Sequence, residues 1–184
     1  SNPCLVKENP EPFNLYFGDI HGHTVRSDGI GTPDDYYRHA RYVASADFAA
    51  IADHNHWEVS RSEGPFYKRM PQKIFDDIQE AGDKWNSPGE FVTLIALEMT
   101  YFKDYAGHMN IYYRSSGYPV CYAESTEELW EFLKDKEALV IPHHTIWGGK
   151  SKNLSKMNPD YVKVIEIYSM HGSSEYGKNP IFRD

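Results

Sequence analysis

The stretch from Gly18 to Gly29, Gly-Asp-Ile-His-Gly-His-Thr-Val-Arg-Ser-Asp-Gly, gathers side chains that can do chemistry. His21 and His23 flank a glycine and follow a short apolar run, Leu15-Tyr16-Phe17, that reads as a strand. Residues two apart in an extended chain point to one face, so the two imidazoles lie side by side at a strand end. Neutral imidazole is a ligand for Zn, Fe, Ni and Cu, and Asp28 adds a hard oxygen within the same turn. Gly22 and Gly29 allow close backbone approach or a sharp turn. A lone His-x-His is often only a surface pair, so the weight of this one comes from how the rest of the chain repeats it.

The repetition is consistent. A second apolar run, Phe48 to Ala52, ends in Asp53-His54-Asn55-His56. A third, Phe91 to Leu97, ends in Glu98, and a carboxylate at the end of a buried strand needs a partner because burying it unpaired is costly. His108 opens a fourth extended run, Met109 to Tyr113, and Ala138 to Ile141 ends in Pro142-His143-His144. Val162 to Tyr168 reads as the last strand, contains Glu166 and is followed by His171. Random placement of 9 histidines would not put so many at strand ends.

Helices are expected between these runs. Thr32-Pro33-Asp34-Asp35 has the composition of a helix start, with Thr32 as cap, Pro33 in the first turn and acids near the positive end. Tyr36, Ala40 and Val43 then form its buried face; Ile74, Ile78, Ala81 and Trp85 form that of a second helix after Pro71. Ser125 with Glu128 makes a capping box before Leu129, Phe132 and Leu133. Residues 1–14 read as an irregular arm, and Trp57 to Met70 as a long loop. Strands alternating with helices predict an α/β fold with a mainly parallel sheet, in which ligands bind at the carboxyl ends of the strands.

Composition narrows the partners. The 184 residues suffice for one domain with a substantial core, and 40% of them are hydrophobic. A net charge of -8 argues against an extended nucleic-acid surface, yet leaves room for a small phosphate ester held by metals. The longest apolar run is too short to span a membrane. Cys4 and Cys121 allow one disulfide but no disulfide framework.

With these residues in hand, the chain resembles the PHP family, named for polymerase and histidinol phosphatase, from about Leu15 to Ser169. The resemblance rests on His21-Gly22-His23 with Ser27-Asp28-Gly29, on Asp53-His54, on Glu98 with the later His108, and on the strand-terminal His143-His144. It is nearest to a poorly characterised branch of the family. It implies a distorted (β/α)7 TIM-like barrel and two to three divalent ions, Zn, Mn or Fe. His21, His23 and Glu98 would hold the first ion; Glu98, His108 and His143 the second; Asp28 and His54 the third. It also implies hydrolysis of a phosphate mono- or diester of a small substrate by metal-activated water, with His21, His23, Glu98 and His143 at its centre. A bridging carboxylate agrees with elementary chemistry, since one carboxylate has two oxygens.

The family's last motif, Asp-x-His, has no counterpart after Ser169. The expectation is therefore a domain over residues 15–184 that lacks the C-terminal part of the barrel, belongs to a longer chain, fills its second metal position best and pairs with other chains through open barrel edges. His56, His144, His171 and Arg26 are candidates for contacting substrate. Each also has an ordinary reading as an exposed side chain, as do Lys150 and Lys152. His39 reads as a surface or core histidine, and Glu166 as a structural partner of a Lys or Arg. Two other functions compete. An amidohydrolase-like enzyme also places His-x-His after its first strand but wants a bridging lysine, and a non-catalytic, metal-stabilised PHP module would explain the absent last motif.

Overall fold

Alternation of apolar residues decides which way each strand faces. In the computed structural model, which describes residues 14–59, 66–100, 107–145, 154–169 and 171–174, the elements run in the order β1 (Gly18–Gly22), α1 (Pro33–Tyr42), β2 (Phe48–Ile51), β3 (His56–Val59), β4 (Phe66–Arg69), α2 (Gln72–Trp85), β5 (Val92–Met99), β6 (Met109–Tyr113), α3 (Thr126–Leu133), β7 (Ala138–Pro142), β8 (Tyr168–Ser169) and β9 (Gly172–Ser173). The central sheet has the order β1-β2-β5-β6-β7. On one face Ala49, Ile51, Ile95 and Leu97 join a large cluster with Tyr37, Phe75, Ile78 and Leu129. On the other, Ala50, Ala52, Ala96 and Tyr112 form a smaller one. Successive residues of one strand thus serve opposite faces.

The sheet is parallel-rich, as the alternation of elements predicts, with one reversal. β1 pairs β2 and β2 pairs β5 in parallel, whereas β6 runs antiparallel to both β5 and β7. The link from β5 to β6 is too short for the crossover that a parallel pair requires. The reversal brings His108, at the start of β6, to the same end of the sheet as the carboxyl ends of its neighbours. Among the described residues the sheet is open, with β1 and β7 at its edges. A closed TIM-like barrel is therefore not what these residues form; their architecture is an open, mixed α/β sheet.

Other local expectations are revised. Leu15, Tyr16 and Phe17 are exposed and precede β1. The buried face of α1 is Pro33, Tyr37 and Ala40, a helical spacing that leaves Val43 exposed at the C-cap. Where a long loop is expected after Trp57, β3 and β4 pair as an antiparallel ribbon. The segment Val162–Ile167 has no strand of its own. It is tied to β7 by Val140 N–H donating to Tyr161 O and Glu166 N–H donating to Pro142 O, and Pro142 has no N–H to add to a ladder. Cys121 is buried and free. The N-terminal arm up to residue 13, Cys4, Lys150 and Lys152 lie outside the described residues. Among those described, no helix is long and apolar enough to cross a membrane.

The caps form largely as read. Thr32 and Asp35 make a reciprocal capping box on α1. Ser125 accepts from the Glu128 N–H, while the Glu128 carboxylate accepts from Glu124 N–H at 2.9 Å, one residue before the expected partner.

Two features of β1 aim the His pair. Asp19 lies opposite Ala49 but Gly22 opposite Ile51, so β1 carries one extra residue between them, a bulge that re-aims the side chains around His21. A Cβ on Gly22 would lie 2.1 Å from the Tyr36 ring. Gly22→Ala should therefore push α1 from β1 and destabilise the fold by about 1–3 kcal/mol, the usual cost of overpacking. Urea unfolding monitored by tryptophan fluorescence measures this; a midpoint equal to that of the parent protein would show that Tyr36 moves aside freely.

Candidate metal centre

Glu98 is 1% exposed near the end of β5, and its carboxylate is surrounded by imidazoles. Oε2 lies 3.2 Å from His21 Nε2, 2.9 Å from His23 Nε2 and 3.0 Å from His54 Nδ1. Oε1 lies 2.8 Å from His108 Nδ1. The backbone builds this meeting directly. Beyond the end of β2, His54 forms a parallel bridge with Glu98 near the end of β5, with Asn55 N–H donating to Glu98 O at 2.8 Å and Glu98 N–H to Asp53 O at 3.1 Å. His143 follows β7 and donates its N–H to His108 O at 3.1 Å.

Asp53, fully buried, holds the loop after β1. It accepts from Thr24 N–H at 2.8 Å, from the Thr24 hydroxyl at 2.6 Å and from the Ser27 hydroxyl. Gly29 closes the same loop; a Cβ there would meet His23 O at 2.2 Å. This restraint delivers Asp28 to the site, with Oδ1 2.6 Å from His23 Nδ1 and Oδ2 3.5 Å from His54 Nε2. The Ser and Gly of Ser27-Asp28-Gly29 are thus structural, and Asp28 is the side chain they present.

His21, His23, Asp28, His54, Glu98, His108, His143, His144 and His171 all line one cavity of about 830 Å³, together with Glu166 and Tyr168. Their grouping overlaps the sets that the resemblance implies, since His21 and His23 both meet Glu98 and His54 meets Asp28, but it adds further combinations. His21 associates with Glu98 and His143; His23 with Asp28 and His54; His54 with Glu98 and His108; in each group the ligand atoms lie within 4.8 Å of one another. His23 meets Asp28 as well as Glu98, and His143 lies nearer His21, at 4.3 Å between ring centroids, than His108, at 6.5 Å. These mixed nitrogen and oxygen sets, gathered around a buried carboxylate, are suitable for divalent ions.

Two candidates fall elsewhere. Arg26 pairs with Asp77 at 3.1 Å and lines a separate depression. His56 is buried beside Tyr122, on the far side of the turn from His54. His39 is exposed on α1. In the other direction, Glu166 joins the site rather than pairing with a Lys or Arg. Its Oε1 meets His143 Nδ1, and its Oε2 lies 3.5 Å from His21 Nδ1. One carboxylate therefore sits behind two rings, the arrangement by which outer carboxylates fix the tautomer of a liganding histidine. Asn110 Nδ2 also lies 2.9 Å from His21 Nδ1. The signal for Glu166 was present in the sequence as an acid inside an apolar run, the same signal that singled out Glu98.

A family model described as "Protein of unknown function (DUF3604)" matches residues 32–148. No curated protein matches the chain. Among solved structures, a two-domain protein of Bacteroides vulgatus containing a predicted PHP-like metal-dependent phosphoesterase superposes with a TM-score of 0.51 at 19% identity, over 79% of this chain and 40% of that one. A candidate metal-dependent phosphoesterase of Bifidobacterium adolescentis gives 0.55 at 14% identity, over 83% of this chain and 77% of that one. These likenesses establish a shared fold, and the chain spans well under half the length of the Bacteroides protein.

In metal-free protein, the groups of the site would hold one another's charge. Burial alone would raise the Glu98 carboxyl, but hydrogen bonds from His108, His21 and His23 outweigh it and hold the group well below its ordinary value. Burial opposes protonation of His21, yet Glu166 and Glu98 raise it to about 9; at His23, Asp28 and Glu98 overcome burial and raise it to about 10. His23 and His54 lower Asp28. Burial resists ionisation of Glu166, but His143 and His21 bring it down to about 2. Burial lowers His143 in spite of Glu166. Protons thus do part of a cation's work, and metal binding must release them. Because His21 and His23 are raised in the fold, their contribution to stability is complete below the ordinary value of 6.5 and is lost as pH climbs through about 9 to about 10. Chelator-treated protein should therefore melt at progressively lower temperature across that window, and added Zn or Mn should flatten the dependence. Melting curves over the pH range test this; a metal-free protein with a constant melting temperature there would contradict it.

Proposed function

The chain belongs to the DUF3604 family, and from the site it carries we propose that it is a metal-dependent phosphoesterase, hydrolysing a phosphate mono- or diester of a small molecule with metal-activated water. The observation that carries the reading is Glu98, a buried carboxylate reached by His21, His23, His54 and His108 at one end of the sheet. The fold shared with proteins described as metal-dependent phosphoesterases supports it. We assign the complete fold to the PHP type.

Two to three divalent ions (Zn, Mn or Fe) would lower the pKa of bound water to about 7 and neutralise the phosphate oxygens. The residues that would hold them are His21, Glu98 and His143; His54, Glu98 and His108; and His23 with Asp28, with Glu98 serving two of the positions. His54 reaches both the second and the third groups, and its one lone pair would serve either of them but not both. Glu166 holds His21 and His143 in register, and Asp53 holds the loop that presents Asp28. His144 and His171 face the same cavity, where they contact the substrate. A carboxylate in the bridging place, where an amidohydrolase would have lysine, favours phosphoester chemistry.

Purified protein should hydrolyse p-nitrophenyl phosphate or bis(p-nitrophenyl) phosphate with Mn or Zn present and lose this activity in chelator. Glu98→Gln should reduce both metal content and rate by at least about 100-fold, since loss of a mere outer partner typically costs about 10- to 100-fold. His144→Ala should keep its metal at the Glu98 positions. A Glu98→Gln protein with parental metal content and activity would remove the basis of the proposal.

A further inference from the structure

We propose that His143, His144 and His171 form a further metal position, made of nitrogen ligands alone and selective for ions such as Ni, Cu or Zn over Mn. The ligand nitrogens of the three side chains lie within 4.8 Å of one another. Their ring centroids are 4.2 Å apart for His143 and His144, 5.6 Å for His143 and His171, and 5.1 Å for His144 and His171. Each of the three groups described above contains a carboxylate, and this one does not. Imidazole favours the later transition ions, while carboxylate oxygen suits Mn, so the two kinds of position sort ions by chemistry.

The backbone is arranged for this convergence. Successive residues of an extended chain point to opposite sides, yet His143 and His144 both line the cavity. His144 has φ 36, in the left-handed region that non-glycine residues seldom occupy, and the turn there directs its ring to the same side. An outlier of this kind, held in a packed structure and beside a site, points to function. His171 arrives from the turn between β8 and β9, where its N–H donates to the Ser169 hydroxyl at 3.1 Å.

His143 belongs to two groups at once. Its Nδ1 meets Glu166, so Nε2 is the nitrogen it would offer a cation, and one nitrogen lone pair serves one ion. The position with His21 and Glu98 and the position with His144 and His171 are therefore alternatives, and the identity of the ion decides between them. This placement stands whether or not the chain cleaves phosphate esters, since it concerns metal choice alone.

The test is calorimetric titration of chelator-treated protein with NiCl2 and, separately, MnCl2, comparing the parent with His171→Ala and His144→Ala. Both variants should lose at least about 10-fold in affinity for Ni, the loss of a ligand being no smaller than that of an outer partner. Affinity for Mn should stay at the parental value, which also reports that the variants are folded. Unchanged Ni affinity in both variants would overturn the proposal. A parallel loss of Ni and Mn affinity would overturn it equally, because it would mean that these residues support the whole site rather than a nitrogen-selective position.

Discussion

A carboxylate buried as deeply as that of Glu98 is expensive unless positive charge or hydrogen-bond donors surround it. Much of the architecture around it answers that demand. Three imidazoles reach one oxygen and a fourth reaches the other, from three segments of the chain: the end of β1, the residues after β2 and the residue before β6. Because those segments end at the same edge of the sheet, folding itself assembles the charge. Removing the imidazoles while keeping the acid would leave a buried anion without compensation. The dependence therefore runs both ways: the fold positions the ligands, and the ligands let the acid remain in the fold.

The precision of the cluster comes from restraints one layer further out. A bulge in β1 aims His21, a fully buried Asp53 ties down the loop that carries Asp28, and Glu166 reaches the rear nitrogens of His21 and His143. None of these groups needs to touch a substrate. Their effect is to spend conformational freedom during folding, so that little remains to be lost when a cation arrives. The antiparallel turn into β6 belongs to the same layer, since without that reversal His108 would lie at the far end of the sheet.

Much of the site was legible because strand ends in α/β sheets are where ligands bind. An apolar run followed by His or Glu therefore marks both an element boundary and a candidate ligand. That logic singled out His21, His23, His54, Glu98 and His143, and it extended to Asp28 through the short turn from His23; His108, which precedes its run, came from the family resemblance. It could not tell which ligands meet, because grouping depends on the bulge and on sheet order, neither of which has a local signature. His23 meets Asp28 through Nδ1 as well as Glu98 through Nε2. Proximity in sequence also misled: Arg26 and His56 lie within a few residues of ligands, yet one turns to Asp77 on α2 and the other sits beside Tyr122. Glu166 carries the same signal as Glu98, an acid in an apolar run, but nothing local shows that its partners are His143 and His21 rather than a Lys or Arg. The closed barrel came from family resemblance and not from any pattern in the residues; the five strands described form an open sheet.

The account stands or falls on cations at Glu98. Crystals grown with MnCl2 or ZnCl2, with anomalous diffraction collected at the absorption edge of the ion, locate those cations directly. The account predicts anomalous peaks within bonding distance of both Glu98 oxygens, one shared with His21 and the other with His108. A fully folded protein whose bound ions all lie away from Glu98, or which binds none at saturating metal, would contradict it.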